Sequence, residues 1–116
     1  MKNCIFCKII KGEIPTNFVY QDEEIVAFRD IKPAAPVHVL IVPKLHIDKL
    51  QDVTDNERNL LGKMLIVATK IAEKEKIAES GYRIGINCSK GAGQLVFHLH
   101  FHLIGGWKEK DKIVLP

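Results

Sequence analysis

The chain has few of the features that mark exported, membrane-spanning or nucleic-acid-binding proteins. It has only three cysteines, an odd number, and its N-terminal hydrophobic run is too short for an export signal, so we expect free thiols and a cytoplasmic location. No apolar stretch is long enough to cross a bilayer, so no membrane contact is expected. The net charge is +3, from 17 basic and 14 acidic residues. Without a basic block interleaved with aromatic residues, this mild charge argues against binding to nucleic acid.

What the chain does contain is typical of a single globular domain covering residues 1–116. Its hydrophobic content is 47% and its charged content is 27%, which are ordinary values for a soluble protein. A chain of 116 residues can bury one core but not two. We therefore expect one domain without repeats or linkers.

The five histidines are confined to two short segments, residues 38–46 and 98–102. The second segment lies within residues 94–104, where histidines alternate with apolar residues from Phe97 to Leu103, the pattern of a half-buried strand whose apolar side chains face inward. Alternate Cα atoms on a strand lie about 6.6 Å apart and the outer pair about 13 Å apart. All three rings could reach one zinc ion only at full stretch, because Zn–N bonds are about 2.0–2.1 Å long. The three histidines are therefore expected to have different roles.

The remaining periodic segments predict two helices and four more strands. Apolar residues at helical spacing indicate a short N-terminal helix that ends at Gly12 and a long helix that begins at the capping box of Thr54 and Glu57. The predicted helices cover residues 4–12 and 54–79, and the predicted strands are Phe18–Gln21, Ile25–Arg29, 37–42 and 82–87.

Cys4 and Cys7 form a Cys-x-x-Cys pair at the start of the first predicted helix. This spacing suits a zinc site, a redox pair or two idle thiols. Because no strand precedes the pair, we favour zinc over idle thiols and idle thiols over redox chemistry. There is no second Cys-x-x-Cys, so a closed tetrahedral zinc site would need histidines as its other ligands.

Four other positions each have two interpretations. Asp30 follows a strand and is either a turn residue or an acceptor for sugar hydroxyls. His38, inside an apolar strand, is by default structural, and His46, in a loop, is by default merely exposed; both types of histidine can also bind metals or transfer protons. The glycine-bearing loop 89–94 is either a hairpin connection or a phosphate-binding loop, and its place directly before the histidines adds weight to the second.

The histidine segment also carries a family signature. His98-Leu99-His100-Phe101-His102-Leu103-Ile104 matches the pattern His-φ-His-φ-His-φ-φ, where φ is an apolar residue, without a mismatch. Further blocks that are similar to the same family precede this segment, in the order that the family has them, at residues 5–10, 13–15, 27–31, 36–38, 43–46 and 87–94. On these residues the chain resembles the histidine triad (HIT) proteins, and among them the Hint branch, the histidine triad nucleotide-binding proteins, of the type with a zinc-containing N-terminal Cys-x-x-Cys.

The resemblance implies a fold and a reaction. The implied fold is α+β, a five-stranded antiparallel sheet with one long helix and a short N-terminal helix, usually as a homodimer. The implied reaction is hydrolysis of purine nucleoside 5′-phosphoramidates, such as adenosine 5′-monophosphoramidate, at the α-phosphate. In that reaction His100 is the nucleophile that forms a nucleotidyl-histidine intermediate, as a neutral imidazole can near pH 7. His102 is placed to protonate the leaving amine, and His38 is a further candidate catalytic residue.

The resemblance also implies which residues bind the nucleotide. Asp30 matches the acid that binds the ribose, and three apolar residues match the walls around the base. The walls are Ile5, Phe6 and Ile31, and the predicted phosphate contacts are Asn87, Gly93, Gln94, Leu95, His100 and His102. Leu95 departs from the family pattern, because many Hint proteins have Ser or Thr there. Leucine can offer only its backbone N–H, so the preference among leaving groups is expected to differ.

A structural zinc ion is implied by the same resemblance, with Cys4, Cys7, His46 and His98 as its ligands. This assignment agrees with the different roles expected for the three histidines, since it leaves His100 and His102 for chemistry. Three alternatives remain open: a dinucleoside polyphosphate hydrolase of the same family, a zinc hydrolase, and a nucleotide-binding or scaffold protein with weak catalysis, which Leu95 favours.

Overall fold

The computed structural model describes residues 3–113, which form an antiparallel sheet with helices on its two faces. The helices are α1 (Ile5–Ile10) and α2 (Arg58–Lys74), and the strands are β1 (Phe18–Gln21), β2 (Ile25–Arg29), β3 (Val37–Pro43), β4 (Tyr82–Gly85) and β5 (Phe101–Gly105). The strand order is β1-β2-β3-β5-β4, and every neighbouring pair is antiparallel. The α+β architecture predicted from the sequence, with five strands, one long helix and a short N-terminal helix, is confirmed. Among residues 3–113, neither helix combines the length and the apolar composition that crossing a membrane would require.

β3 lies in the middle of the sheet because its residues are apolar on both faces. Val39 and Ile41 point toward α2 and belong to the larger of two core clusters, which includes five buried residues of that helix. Leu40 and Val42 point to the opposite face and pack in a second cluster with residues of α1. Successive side chains of a strand alternate between the two faces, so one unbroken apolar run supplies side chains to the core clusters on both faces of the sheet. The face that carries Leu40 is the one on which the functional residues lie.

The long helix begins as predicted but ends earlier. Thr54 and Glu57 form the predicted capping box, and one 3₁₀ turn precedes α2. The predicted end at residue 79 is wrong, because Lys76 takes the left-handed conformation, with φ of 62°. Its backbone N–H donates to the Glu73 carbonyl, and the next N–H, from Ile77, donates to the Ala72 carbonyl at 3.0 Å. This is the Schellman arrangement that closes a helix, formed here with lysine where glycine is usual.

The strand predicted over residues 94–104 is much shorter, because β5 begins only at Phe101. The last β3–β5 pair is Ile41 with Phe101. Two positions further along β3 is Pro43, which has no N–H to donate to a ladder. The Leu99 N–H instead donates to the Ile47 carbonyl at 2.6 Å. The strand 82–87 also ends early, at Gly85.

The inward side chains of the histidine segment were predicted correctly with one exception. Leu99, Phe101 and Leu103 are buried in the core, but Phe97 is 43% exposed. The chain enters this segment from a loop that contains a 3₁₀ turn, Lys90–Ala92, so strand alternation does not apply as far back as Phe97. His98 and His100 therefore precede the strand, and only His102 lies in it.

Candidate active site and metal site

A cavity of about 830 Å³ opens on the sheet face that carries α1. Its apolar wall comes from two phenylalanines of the first hairpin and from α1, where Ile9 follows Ile5 and Phe6 by one helical turn. Asp30, His100 and His102 also line the cavity, and an oxygen of Asp30 lies within 4.8 Å of a ring nitrogen of His102. The cavity therefore joins an apolar compartment to a polar end that holds two imidazoles and a carboxylate.

His100 is held in one orientation by its neighbours. Its Nδ1 lies 2.7 Å from the His98 carbonyl oxygen, which can only accept, so Nδ1 carries the proton and donates it. The other ring nitrogen, Nε2, then keeps its lone pair. The ring packs edge-to-face on Phe6 with the ring centres 5.1 Å apart. Burial lowers the pKa of His100, so the neutral imidazole prevails at neutral pH.

His102 and His38 are linked directly. His38 Nε2 lies 2.9 Å from His102 Nδ1, and the Ala34 N–H donates to His38 Nδ1 at 2.9 Å. An oxygen of Asp30 lies 3.5 Å from His38 Nε2. Burial, together with the charges that His100 and His38 would carry, lowers the pKa of His102 to about 4. Burial also lowers the pKa of His38, although Asp30 opposes that effect.

The structure brings most of the predicted nucleotide-binding residues to the cavity. Eight of them line it: Ile5, Phe6, Asp30, Ile31, Gly93, Leu95, His100 and His102. Leu95 is 91% exposed at the rim, and Gly93 has φ of 89°, a left-handed conformation that favours glycine. Asn87 and Gln94 are not among the lining residues, although both lie in the loop that leads into the histidine segment.

Gln94 has a different place from the one predicted. Its side chain is buried, with 2% of the residue exposed. Its Oε1 accepts from the Ser89 N–H at 2.8 Å, and its Nε2 donates to the carbonyl oxygens of Asp48 and Val96 at 2.7 and 3.0 Å. Both amide hydrogens are thus already used, and the side chain fastens the loop 89–96 instead of presenting a donor to the cavity.

A second cluster brings Cys4, Cys7, His46 and His98 together, with all four donor atoms within 4.8 Å of one another. Cys7 Sγ lies 3.2 Å from His46 Nδ1 and 3.5 Å from His98 Nδ1, and Cys4 Sγ lies 3.4 Å from His98 Nδ1. Tetrahedral zinc with ordinary Zn–S and Zn–N bonds separates sulfur and nitrogen ligands by about 3.6 Å. The donor atoms therefore lie close to the spacing that one zinc ion requires.

The orientation of both histidine rings also suits a cation. His46 Nε2 lies 2.6 Å from an Asp48 carboxylate oxygen, and His98 Nε2 lies 2.7 Å from the Pro43 carbonyl oxygen. Each ring therefore donates Nε2–H and turns an Nδ1 lone pair toward the cysteines, which is the usual arrangement of metal-binding histidines. Burial, and the Cys4 thiol beside it, raise the pKa of Cys7, so a cation would be needed to hold Cys7 as a thiolate. The residues present fit zinc.

Sequence reasoning missed Asp48, the partner of His46, and most of the apolar residues of the cavity wall, Ile9 and Val96 among them. The sequence did contain a local signal for Asp48 and for Ile9. Asp48 follows His46 by two positions, within reach of its ring, and Ile9 follows Ile5 by one helical turn on the same side of α1. Val96, another wall residue that was missed, lies in a loop whose course no local pattern specifies.

Comparison with known proteins agrees with this geometry. Residues 11–109 match the HIT domain family. The chain is 52% identical over 102 residues to the purine nucleoside phosphoramidase of Escherichia coli K12, covering 88% of this chain and 86% of that protein. It is 46% identical over 104 residues to a 14 kDa zinc-binding protein of Zea mays, covering 88% and 80%. The crystal structure of a HIT family hydrolase from Legionella pneumophila superimposes with a TM-score of 0.89 at 51% identity, covering 91% and 95%. The chain therefore belongs to the HIT domain family and is a hydrolase of that family.

Proposed function

We propose that the chain hydrolyses purine nucleoside 5′-phosphoramidates at the α-phosphorus, with His100 as the nucleophile. The observation that carries this proposal is the orientation of His100 at the cavity wall, where Nδ1–H is donated to the His98 carbonyl and Nε2 keeps a free lone pair. The name of the Escherichia coli relative, purine nucleoside phosphoramidase, supports the substrate class. The apolar wall suits a purine ring, and Asp30 suits the ribose hydroxyls, because a carboxylate accepts two hydrogen bonds side by side.

The reaction has two displacements at phosphorus. The His100 Nε2 lone pair forms an N–P bond, the P–N bond of the substrate breaks, and its electron pair leaves with the amine nitrogen, which takes a proton from water in the open cavity. A second water then attacks phosphorus, the His100 N–P bond breaks, and its electron pair returns to Nε2 while the water proton passes to solvent. The sum is one water consumed, and one amine and one nucleoside monophosphate released. Two such steps replace a single, more difficult displacement.

Mass spectrometry of protein quenched during turnover tests this proposal. After mixing with adenosine 5′-monophosphoramidate and quenching under alkaline conditions, wild-type protein is expected to carry one adenylyl group on His100. His100→Ala is expected to show no adduct and no turnover. Tight AMP binding with negligible turnover in both proteins would instead indicate a nucleotide-binding protein. Faster hydrolysis of diadenosine polyphosphates than of the phosphoramidate would indicate the other hydrolase of the family.

We further propose that Cys4, Cys7, His46 and His98 bind one structural zinc ion per chain. Zinc would supply a cross-link between the N-terminus and the sheet, with four protein ligands and no open position for substrate. The donor spacing and ring orientations described above support it, as does the name of the Zea mays relative. Elemental analysis of protein purified without a metal-affinity tag is expected to give about one zinc per chain, by the four-ligand rule.

We also propose that the chain forms a homodimer and works in the cytoplasm. Leu65 and Ile66 are 45% and 58% exposed on α2, and β4 is an end strand of the sheet, so a second copy could cover both. Sedimentation of wild-type protein is expected to give a dimer, and Ile66→Lys a monomer, with Gln51→Lys, at an exposed residue outside α2, as the control of equal charge. The three free cysteines suit a reducing compartment.

A further inference from the structure

His38 is a buried histidine with a partner at each ring nitrogen, and those partners determine where its proton lies. The Ala34 N–H points at Nδ1 from 2.9 Å, so Nδ1 must accept and cannot carry a hydrogen. A neutral imidazole has one N–H, which therefore lies on Nε2. The Asp30 carboxylate, 3.5 Å from Nε2, favours the same arrangement because it attracts that N–H.

This arrangement argues against a metal ion at the same place. Oxygen and nitrogen atoms of Asp30, His38 and His102 lie within 4.8 Å of one another, and two histidines with one carboxylate are a familiar ligand set. A metal would have to take the Nε2 lone pair of His38. Nε2 has none to give, because the only lone pair of the neutral ring, on Nδ1, already accepts from Ala34. The cluster is therefore better read as a chain of hydrogen bonds.

The proton position on His38 determines that of His102. His38 Nε2–H points at His102 Nδ1 from 2.9 Å, and two N–H groups cannot face each other at that distance. His102 Nδ1 must therefore accept, and the one proton of the neutral His102 ring lies on Nε2, the nitrogen turned away from His38. Since His102 lines the cavity beside His100, this N–H is available to a bound phosphate.

We propose that His38, oriented by Asp30, fixes the proton of the neutral His102 ring on Nε2, so that His102 donates Nε2–H to a phosphoryl oxygen, stabilises charge there and is not the acid that protonates the leaving group. The inference deepens the proposed function and rests on it. As an acid, His102 would need a second proton on Nδ1, where His38 Nε2–H already points. Burial, which lowers the pKa of His102 to about 4, favours the same neutral form at neutral pH. His38 and Asp30 are positioning residues in this scheme.

The first test measures the proton positions directly, without any reaction. In ¹⁵N-labelled wild-type protein at pH 7, NMR is expected to show His102 protonated on Nε2 alone and His38 likewise. His38→Leu removes the donor to His102 Nδ1 and is expected to give a mixture of both His102 forms, whereas His38→Gln, which keeps an N–H donor, restores the Nε2–H form. A cationic His102, or His102 unchanged in His38→Leu, overturns the proposal. If His38→Leu does not fold, Asp30→Asn is measured instead. We expect a partial shift of His102 toward the same mixture of proton positions, and an unchanged His102 would count against the proposal.

The second test separates a fixed donor from an acid. His102→Gln keeps an N–H donor but has no acidic proton, so its kcat is expected to stay within about tenfold of wild type. The kcat of His102→Leu is expected to fall by about 10²–10³-fold, the usual effect of removing one charge-stabilising donor. The loss in His102→Leu is expected to be equal for basic alkylamine leaving groups and for weakly basic arylamines. Equal losses in both variants, or a loss that grows with the basicity of the amine, would assign His102 as the acid and overturn the proposal.

A third test separates the two roles of Asp30. Against 2′,3′-dideoxyadenosine 5′-phosphoramidate, which has no ribose hydroxyls, Asp30→Asn is expected to lower kcat, by less than the about 10²–10³-fold that loss of the His102 donor itself would cost. If Asp30 only binds the sugar, the variant raises KM for the ribonucleotide and leaves kcat for the dideoxy substrate unchanged, which overturns its positioning role. Wild-type protein that hydrolyses neither substrate refutes the proposed function instead, and the NMR measurement still decides the proton positions.

Discussion

Replacing Cys7 by serine is expected to abolish the binding of the proposed zinc ion and, with it, to remove a large part of the stability of the fold. An ion bound to both Cys7 and His46 would cross-link residues 39 positions apart. The chain-entropy relation for a cross-link gives about 13 cal/mol/K for a loop of that length, or about 4 kcal/mol at 25 °C. A further link to His98 would close a loop of its own, of 98 − 46 = 52 residues, with an entropy of similar size, so about 4 kcal/mol is the minimum expected loss. A loss of about 4 kcal/mol is a large fraction of the 5–15 kcal/mol typical of a domain.

Urea unfolding with and without a strong chelator measures this contribution. A chain of this size has an m-value of about 1–3 kcal/mol/M, so 4 kcal/mol corresponds to a midpoint lower by about 1.3–4 M. Chelator is expected to shift the wild-type midpoint by this amount and to leave Cys7→Ser unchanged. Cys88→Ser is the matched control, since Cys88 is the third free cysteine and is not part of the cluster. It is expected to keep both the zinc and the full chelator effect.

Two results would refute this reasoning. A wild-type midpoint that does not respond to complete removal of zinc would show that the ion does not cross-link the fold. Activity that disappears on chelation while the protein stays folded would show that the metal takes part in catalysis. The covalent route through His100 is instead expected to continue at any temperature and urea concentration at which the zinc-free chain remains native.

Three further predictions concern acid, the cavity wall and the end of α2. Burial and the neighbouring histidines lower the pKa of His102 to about 4, against about 6.5 when unfolded. The contribution of His102 to the free energy of unfolding is therefore complete above pH ~6.5. It falls by up to about 3 kcal/mol as the pH drops through about 4. Urea titrations from pH 7 to 4 should show a smaller loss in His102→Gln, and equal losses would contradict the assignment. Phe6→Ala, at a residue 5% exposed, should cost about 3–5 kcal/mol in urea unfolding and raise KM, with Phe97→Ala as the exposed control; similar costs in both would be inconsistent with the packing. Lys76→Gly, at φ of 62°, should stabilise the fold by about 1 kcal/mol, whereas Lys70→Gly inside α2 should destabilise it by about as much, as thermal unfolding would reveal.

The sequence predicted best those elements whose signal is local and whose environment is regular. The two strands of the first hairpin have the predicted bounds, and the central strand differs by one residue. A short apolar run bounded by turn residues fits only as a strand of the buried sheet, so the local sequence determines where each strand begins and ends. The different roles of the three histidines also followed from strand spacing alone, and the structure places His98 in the cysteine cluster and the other two at the cavity.

The errors arise where contacts distant in sequence override the local pattern. The histidine strand is short because Pro43 cannot continue the ladder and Ile47 takes the Leu99 N–H, neither of which is visible within residues 94–104. The end of α2 was predicted at residue 79, whereas the helix ends earlier, with Lys76 in the left-handed conformation and Ile77 buried directly after it. The Gln94 side chain does not line the cavity, because its amide nitrogen donates to carbonyl oxygens of two different loop segments.

The six residues of α1 form part of two sites at once, and this has a thermodynamic consequence. Cys7 on one side of the helix belongs to the metal cluster, while Phe6 and Ile9 on the other side belong to the cavity wall. A helix this short does not persist in isolation, so whichever ligand immobilises it prepares the opposite side for the other. By reciprocity of linked equilibria, a nucleotide in the cavity should tighten the binding of the ion by the same free energy with which the ion strengthens nucleotide affinity.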